Sequence, residues 1–92
     1  MSAGQIVISK KGRDKGRYMI VLSVEPDKQT NAIWLTLVDG YTRTLSKPKK
    51  KKAMHVQPTN CNVDLTSVGP RGLQDADIRK MLGEEVSPLG KR

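Results

Sequence analysis

Apolar residues along the chain recur first in short stretches of period two. Ile6, Val7 and Ile8 form a run within Gln5 to Ser9, and Tyr18, Ile20, Leu22 and Val24 then fall on alternate positions. Both stretches read as β-strands, because successive strand side chains point to opposite faces of a sheet and β-branched and aromatic residues fit a pleated surface. Glu25-Pro26-Asp27 and the polar Lys28-Gln29-Thr30-Asn31 mark a turn. In the next segment, Ala32 to Val38, Ile33, Leu35 and Leu37 share one face of a third strand.

Asp39-Gly40 predicts a two-residue type I′ hairpin, since both central positions of that turn need positive φ, which Gly adopts freely and Asp tolerates. A fourth strand is expected at Tyr41 to Leu45. Pro48 interrupts any ladder, and lysines 49 to 52 are expected to keep the sheet edge solvated. Ala53 to Gln57 restores a short alternation, a fifth strand. Five short strands joined by tight turns, with no helical crossover, predict a mainly β fold. The expected form is a small SH3-like antiparallel barrel over residues 1 to 57, whose closure leaves few exposed edges.

Beyond Pro58 the texture changes. Asn60 to Gly72 reads as irregular loop. Asp75 is placed to cap a helix of about 75 to 82, in which Ile78, Met81 and Leu82 form one apolar stripe and Gly83 provides a stop. Residues 58 to 92 are thus expected to be loop plus a helix docked on the barrel. The tail from Glu84 to Arg92, with Pro88 and Gly90, is expected to fray. A chain of 92 residues buries only about 60–65% of its unfolded surface, so its stability should be modest.

Charge narrows the function. The net charge is +8, and residues 1 to 56 hold 12 Lys and Arg against 4 acids, whereas residues 57 to 92 hold 5 against 5. The whole excess, 12 − 4 = 8, lies in the strand region, and such a surface favours a polyanion that releases its own counterions on binding. No run approaches the roughly 20 apolar residues of a membrane span, and Met1-Ser2-Ala3-Gly4 lacks signal-peptide character. A cytoplasmic location and no membrane partner are therefore expected. One Cys and one His complete neither an intrachain disulfide nor a tetrahedral zinc site. Cys61 has no neighbouring base and the acids form no general acid/base pair. A non-enzymatic protein is expected, with no cofactor and no small-molecule substrate.

Five of the cations lie in one loop: Lys10, Lys11, Arg13, Lys15 and Arg17, with Gly12 and Gly16 between them. Glycine lets a backbone approach a phosphate closely, arginine grips phosphate oxygens bidentately and lysine adds point charge. Asp14 counts against a phosphate site unless it orients Arg13 or caps the turn. Lys47 and Lys49, Lys50, Lys51 and Lys52 form a second tract that Arg43 extends, and the two regions act as one clamp only if they share a face. Tyr41 is a candidate for stacking on a base, and His55 for a hydrogen bond to phosphate or a 2′-hydroxyl. Trp34 reads as core or helix-docking surface. With three aromatics in all, contacts through RNA shape and phosphate are expected over base reading.

Gly4-Gln5-Ile6-Val7-Ile8-Ser9, then Gly12-Arg13-Asp14-Lys15-Gly16-Arg17, then Ile20-Val21 resemble the KOW motif, with Gly16 at its characteristic glycine position. Val38-Asp39-Gly40, Arg43-Thr44-Leu45, Lys47-Pro48-Lys49-Lys50-Lys51 and Met54-His55-Val56 extend the similarity to the large-subunit ribosomal protein fourteen-e family. Together these segments cover roughly residues 4 to 57. Asp77-Ile78-Arg79-Lys80-Met81-Leu82 resembles the helix after the barrel in small bacterial relatives. The resemblance implies an RNA-binding barrel associated with ribosomal RNA and possible ribosomal protein neighbours. The chain lacks the family's long basic C-terminal extension, which fits a small accessory protein. KOW barrels like those of NusG-type transcription factors also bind proteins, so the alternative is an interaction module for an acidic partner such as the transcription machinery.

Overall fold

The computed structural model describes residues 2–66 and 72–90, with side chains through residue 83. The protein is mainly β. Strands β1 (Gln5–Ser9), β2 (Tyr18–Pro26), β3 (Ile33–Val38), β4 (Lys49–Lys52) and β5 (Val56–Asn62) form one antiparallel sheet in the order β4-β3-β2-β1-β5. A 3₁₀ turn at Ala53–His55 joins β4 to β5, and one helix, α1 (Asp75–Gly90), follows. The ladder leaves β4 and β5 as its two edges, so the sheet is not closed. No helix among the described residues is long and apolar enough to cross a membrane.

Both faces of the sheet are buried. Val7, Met19, Val21, Leu35, Leu37 and Val56 form one core, with Val24 and Ala53 against it. Ile6, Ile20 and Val38 project from the other face to meet Ile78 and Leu82 of α1. This two-sided burial explains why β1 is a continuous apolar run, and why Met19 and Val21, off the expected apolar face of β2, are fully buried. The expected stripe Tyr18, Ile20, Leu22, Val24 breaks between Val21 and Ser23, where an irregularity shifts the register against β3. An extra residue reverses the side-chain parity. Val24 accordingly joins the first core while Tyr18, Ile20 and Leu22 serve the second. Ile33, expected to share the face of Leu35 and Leu37, is 40% exposed.

The fourth strand is the lysine run, not Tyr41 to Leu45. The Asp39 carboxylate accepts the backbone N–H groups of Tyr41 and Arg43, each at 2.9 Å. The Arg43 carbonyl accepts from Asp39 and Gly40 at 2.8 and 3.1 Å. Residues 39 to 43 thus bond to one another instead of extending. Gly40 takes φ +80° and Asp39 does not have positive φ, so the turn is not type I′. A second turn brings Lys47 N–H to the Thr44 carbonyl at 3.0 Å, and lysines 49 to 52 then pair with β3, Trp34 opposite Lys52 and Leu37 opposite Lys49. Lysine suits an edge strand: its backbone completes a ladder while its charge discourages further strand addition.

The fifth strand starts at Val56 and continues to Asn62, where irregular loop was expected. Pro58 is tolerated because β5 is an edge strand, and its pairing with β1 is irregular between Gln5 and Val7. The helix runs through Gly83 to Gly90, beyond the expected stop. Gln74 precedes it and its carbonyl accepts the Ile78 N–H at 3.2 Å, while Asp77 Oδ2 takes the Gln74 N–H at 2.9 Å, as the acid of a capping box does. Asp75, expected as the cap, instead accepts the Leu45 N–H at 2.8 Å and fastens the helix start to the 39–48 loop. Residues 67–71 of the expected irregular loop, and 91 and 92 of the expected frayed end, lie outside the described residues.

Candidate nucleic-acid interface

The 10–17 loop leaves β1 and returns as β2 through its own hydrogen bonds. Ser9 N–H donates to the Arg17 carbonyl at 3.0 Å, Gly16 N–H to the Ser9 carbonyl at 2.8 Å and Arg17 N–H to the Asp14 carbonyl at 2.8 Å. Gly12 and Gly16 take φ +80° and +86°, left-handed conformations that favour glycine. Lys10, Lys11, Arg13 and Lys15 are exposed, and none has an acidic partner among the described residues.

Arg17 and Arg43 have a different part. Asp14 and Asp39 are 5% and 3% exposed. Arg43 donates Nε and Nη2 to Asp14 Oδ2 at 3.2 and 3.0 Å. Arg17 Nη1 bonds Asp39 Oδ2 at 2.8 Å and also Thr42 Oγ1, while Arg17 Nε lies 3.7 Å from Asp14 Oδ1. Asp14 therefore serves Arg43 and Arg17 rather than orienting Arg13. Burial opposes ionisation of Asp39, but Arg17 and the Tyr41 and Arg43 amides outweigh it and hold the carboxyl below its ordinary range. Asp39 in turn raises the Arg17 pKa. Two arginines expected on phosphate thus hold the 39–43 loop against the 10–17 loop.

Strand periodicity divides the lysine tract. Lys49 and Lys51 lie opposite Leu37 and Leu35, whereas Lys50 and Lys52 lie opposite Thr36 and Trp34. Lys51 is buried at 8% exposure, and its Nζ donates to the Lys11 carbonyl at 2.8 Å. Its stem lies along the first core and its ammonium reaches the loop, as long cationic side chains do at an apolar rim. On the other face Lys52 Nζ sits 5.6 Å from the Trp34 ring centroid, within cation–π range. Lys50 pairs with Glu25 at 3.3 Å. Lys47 is exposed in the 44–47 turn.

The tract meets the loop through Lys51, and the adjoining His55 carbonyl accepts the Lys10 N–H at 2.9 Å, whereas Lys50 and Lys52 lie on the opposite face and do not share the loop's side. His55 has a lowered pKa, first because of partial burial and then because Lys11, Lys51, Lys52 and Lys10 surround it with positive charge. Removing three cations paired with three acids, Arg17, Arg43 and Lys50 against Asp39, Asp14 and Glu25, leaves 12 − 3 = 9 cations and 4 − 3 = 1 acid in residues 1 to 56. The excess of eight is thus undiminished. Four of the nine, Lys10, Lys11, Arg13 and Lys15, lie in the 10–17 loop.

Tyr41 is 70% exposed, and the guanidinium of Arg79 from α1 lies 5.5 Å from its ring centroid. Arg79 Nη1 also donates to the Gly40 carbonyl at 2.6 Å. Trp34, read from sequence as core or helix-docking surface, belongs to neither apolar cluster and stands half-buried on the face of β3 opposite to Leu35 and Leu37. Trp34 has the parity opposite to Leu35 and Leu37, but so does Val38, which is fully buried in the second core, so parity alone does not mark Trp34 as lying outside both. Among the described residues no group of three or more His, Cys, Asp or Glu side chains is placed to hold a metal.

No protein-family model and no curated protein sequence matches this chain.

Proposed function

We propose that this protein is a non-enzymatic RNA-binding module of KOW type, cytoplasmic and ribosome-associated, that holds structured ribosomal RNA through its phosphates. The observation that carries the reading is the exposed quartet Lys10, Lys11, Arg13 and Lys15, unpaired on a loop fixed by the Lys51 hydrogen bond of 2.8 Å. A merely solubilising turn has no use for a buried ammonium beneath it. Positioned cations lower the ordering cost of binding a phosphate track. Arg17 and Arg43 act as positioning residues, and Gly12 and Gly16 open the loop backbone. Lys47, Lys49, Lys50, Lys52, His55 and Tyr41 flank the contact. The strand order with a 3₁₀ link between β4 and β5 supports an SH3-like barrel.

Replacing Lys10, Lys11, Arg13 and Lys15 together with alanine tests the reading. Affinity for structured ribosomal RNA should fall at least tenfold while circular dichroism keeps the β signature. An acidic protein as the true partner would show itself in co-purification, by surviving nuclease treatment.

A further inference from the structure

We propose that the face of β3 and β4 bearing Trp34, Lys50 and Lys52 carries a stacking site for one unpaired RNA base, with Trp34 as its platform. This rests on the RNA-binding reading and adds to it a single-stranded element, which composition alone argued against.

A cleft of about 510 Å³, lined by Glu25, Pro26, Asp27, Lys28, Trp34 and Lys50, opens beside the indole. That size falls within the range of small-ligand sites. Trp34 is half-buried but belongs to neither apolar core, so its ring is not needed to fill the interior. Any base presents a π-face to an indole, and such stacking tolerates sequence. The cations around the ring come from two elements: Lys28 in the β2–β3 turn, and Lys50 and Lys52 on β4, with Lys52 over the indole at 5.6 Å. They suit the phosphates on either side of a stacked base.

The two acids of the cleft are already engaged. Glu25 faces Lys50 at 3.3 Å, and Asp27 Oδ1 accepts the Gln29 N–H at 2.9 Å. Hydrogen bonds from Gln29 and Thr30 of the turn, and one from the Trp34 side chain, hold Asp27 ionised below its ordinary range, so it stays an acceptor that fixes the turn and steadies the indole. The site also adjoins the first one. β4 is the edge strand, with Lys51 reaching the 10–17 loop from one face and Lys52 the indole from the other. A strand leaving a helical RNA at the loop passes over that edge to reach Trp34.

Trp34 is the sole tryptophan, so tryptophan emission, excited at wavelengths tyrosine does not absorb, reports on this site alone. An RNA hairpin with a four-nucleotide single-stranded overhang, compared with its blunt counterpart, provides the test. The overhang should quench Trp34 and bind at least about fivefold tighter, the lower bound for one stacked base. Trp34→Leu should abolish the preference and leave blunt-hairpin affinity unchanged, and Lys52→Met should weaken the preference without removing the fluorophore. Equal affinity for the two RNAs without quenching overturns the stacking site and leaves the loop reading standing. Salt-sensitive binding of neither RNA overturns both.

Discussion

The Nζ of Lys51 donates to the backbone carbonyl of Lys11 at 2.8 Å across 40 residues of sequence. An edge-strand lysine is thereby bound to the loop that carries the unpaired cations. Lys51→Met keeps the apolar stem and removes only the ammonium. It should cost about 1 kcal/mol, as expected for one hydrogen bond, and lower the hydrogen-exchange protection of the Lys10 and Gly16 amides. Lys50→Met, at a side chain 63% exposed, should leave stability within about 0.5 kcal/mol. Urea denaturation of the two variants makes the comparison.

Asp39→Ala should be the most damaging polar change. It strips acceptors from the Tyr41 and Arg43 amides and leaves Arg17 without its 2.8 Å partner. Losing a buried acceptor of charged and backbone donors costs about 2–3 kcal/mol, measured as a lower urea midpoint at an unchanged m-value. RNA affinity should fall as well, because Arg17 and Asp14 link this loop to the cationic one.

Much of the sheet is legible in the sequence. A continuous apolar run marks β1 and period-two spacing marks β2 and β3, and the turn between β2 and β3 falls within the expected segment but starts at Asp27, because Glu25 and Pro26 pair with Trp34 and Ile33. Asp39-Gly40 misleads because the same carboxylate that suits a hairpin turn can instead collect nearby amides. With its side chain so engaged, the chain folds into a compact loop, and the strand is displaced to lysines whose composition hides their pairing. Nothing local distinguishes Arg17 from Arg13: both are loop arginines, and only the approach of Asp39, 22 residues away, separates a positioning side chain from an unpaired one. Parity places Trp34 outside the core that Leu35 and Leu37 build, but Val38 shares that parity and is fully buried, so only the fold shows that Trp34 stays out of the second core as well.

The single histidine gives a pH signature. Burial and four lysines hold the His55 pKa below 6.5 in the folded protein. The unfolded chain therefore binds its proton first, so the His55 contribution to stability is complete above about pH 6.5 and is lost as pH falls through the folded value. Bound phosphate reverses the local potential and raises that pKa, so RNA binding takes up a proton and tightens as pH falls from 7.5 toward 6. An NMR titration of the imidazole should show a value below 6.5 that rises with RNA, and His55→Gln should flatten the pH dependence of affinity. A His55 pKa that stays fixed at RNA saturation contradicts its place beside the phosphates.

Gly40 is where α1 meets the loop. A Cβ there would lie 2.7 Å from Arg79 Cγ and 2.9 Å from the Asp75 carbonyl oxygen, at φ +80°. The arginine can move, but the helix backbone cannot without loosening Ile78 and Leu82 from Ile6, Ile20 and Val38. Gly40→Ala should cost about 2 kcal/mol or more, combining left-handed strain with lost packing, and should reduce near-ultraviolet dichroism and melting temperature together.

The most direct measurement is the salt dependence of RNA affinity for the native chain and for the Lys10, Lys11, Arg13 and Lys15 quadruple alanine variant. Contact with about four to six phosphates gives a slope of log affinity against log salt of roughly −3 to −4, using the single-strand coefficient. The variant should flatten that slope by roughly 2 to 3, because four of the contributing cations are gone. A native slope near zero, or a variant slope equal to the native one, contradicts the claim that this loop holds RNA by its phosphates.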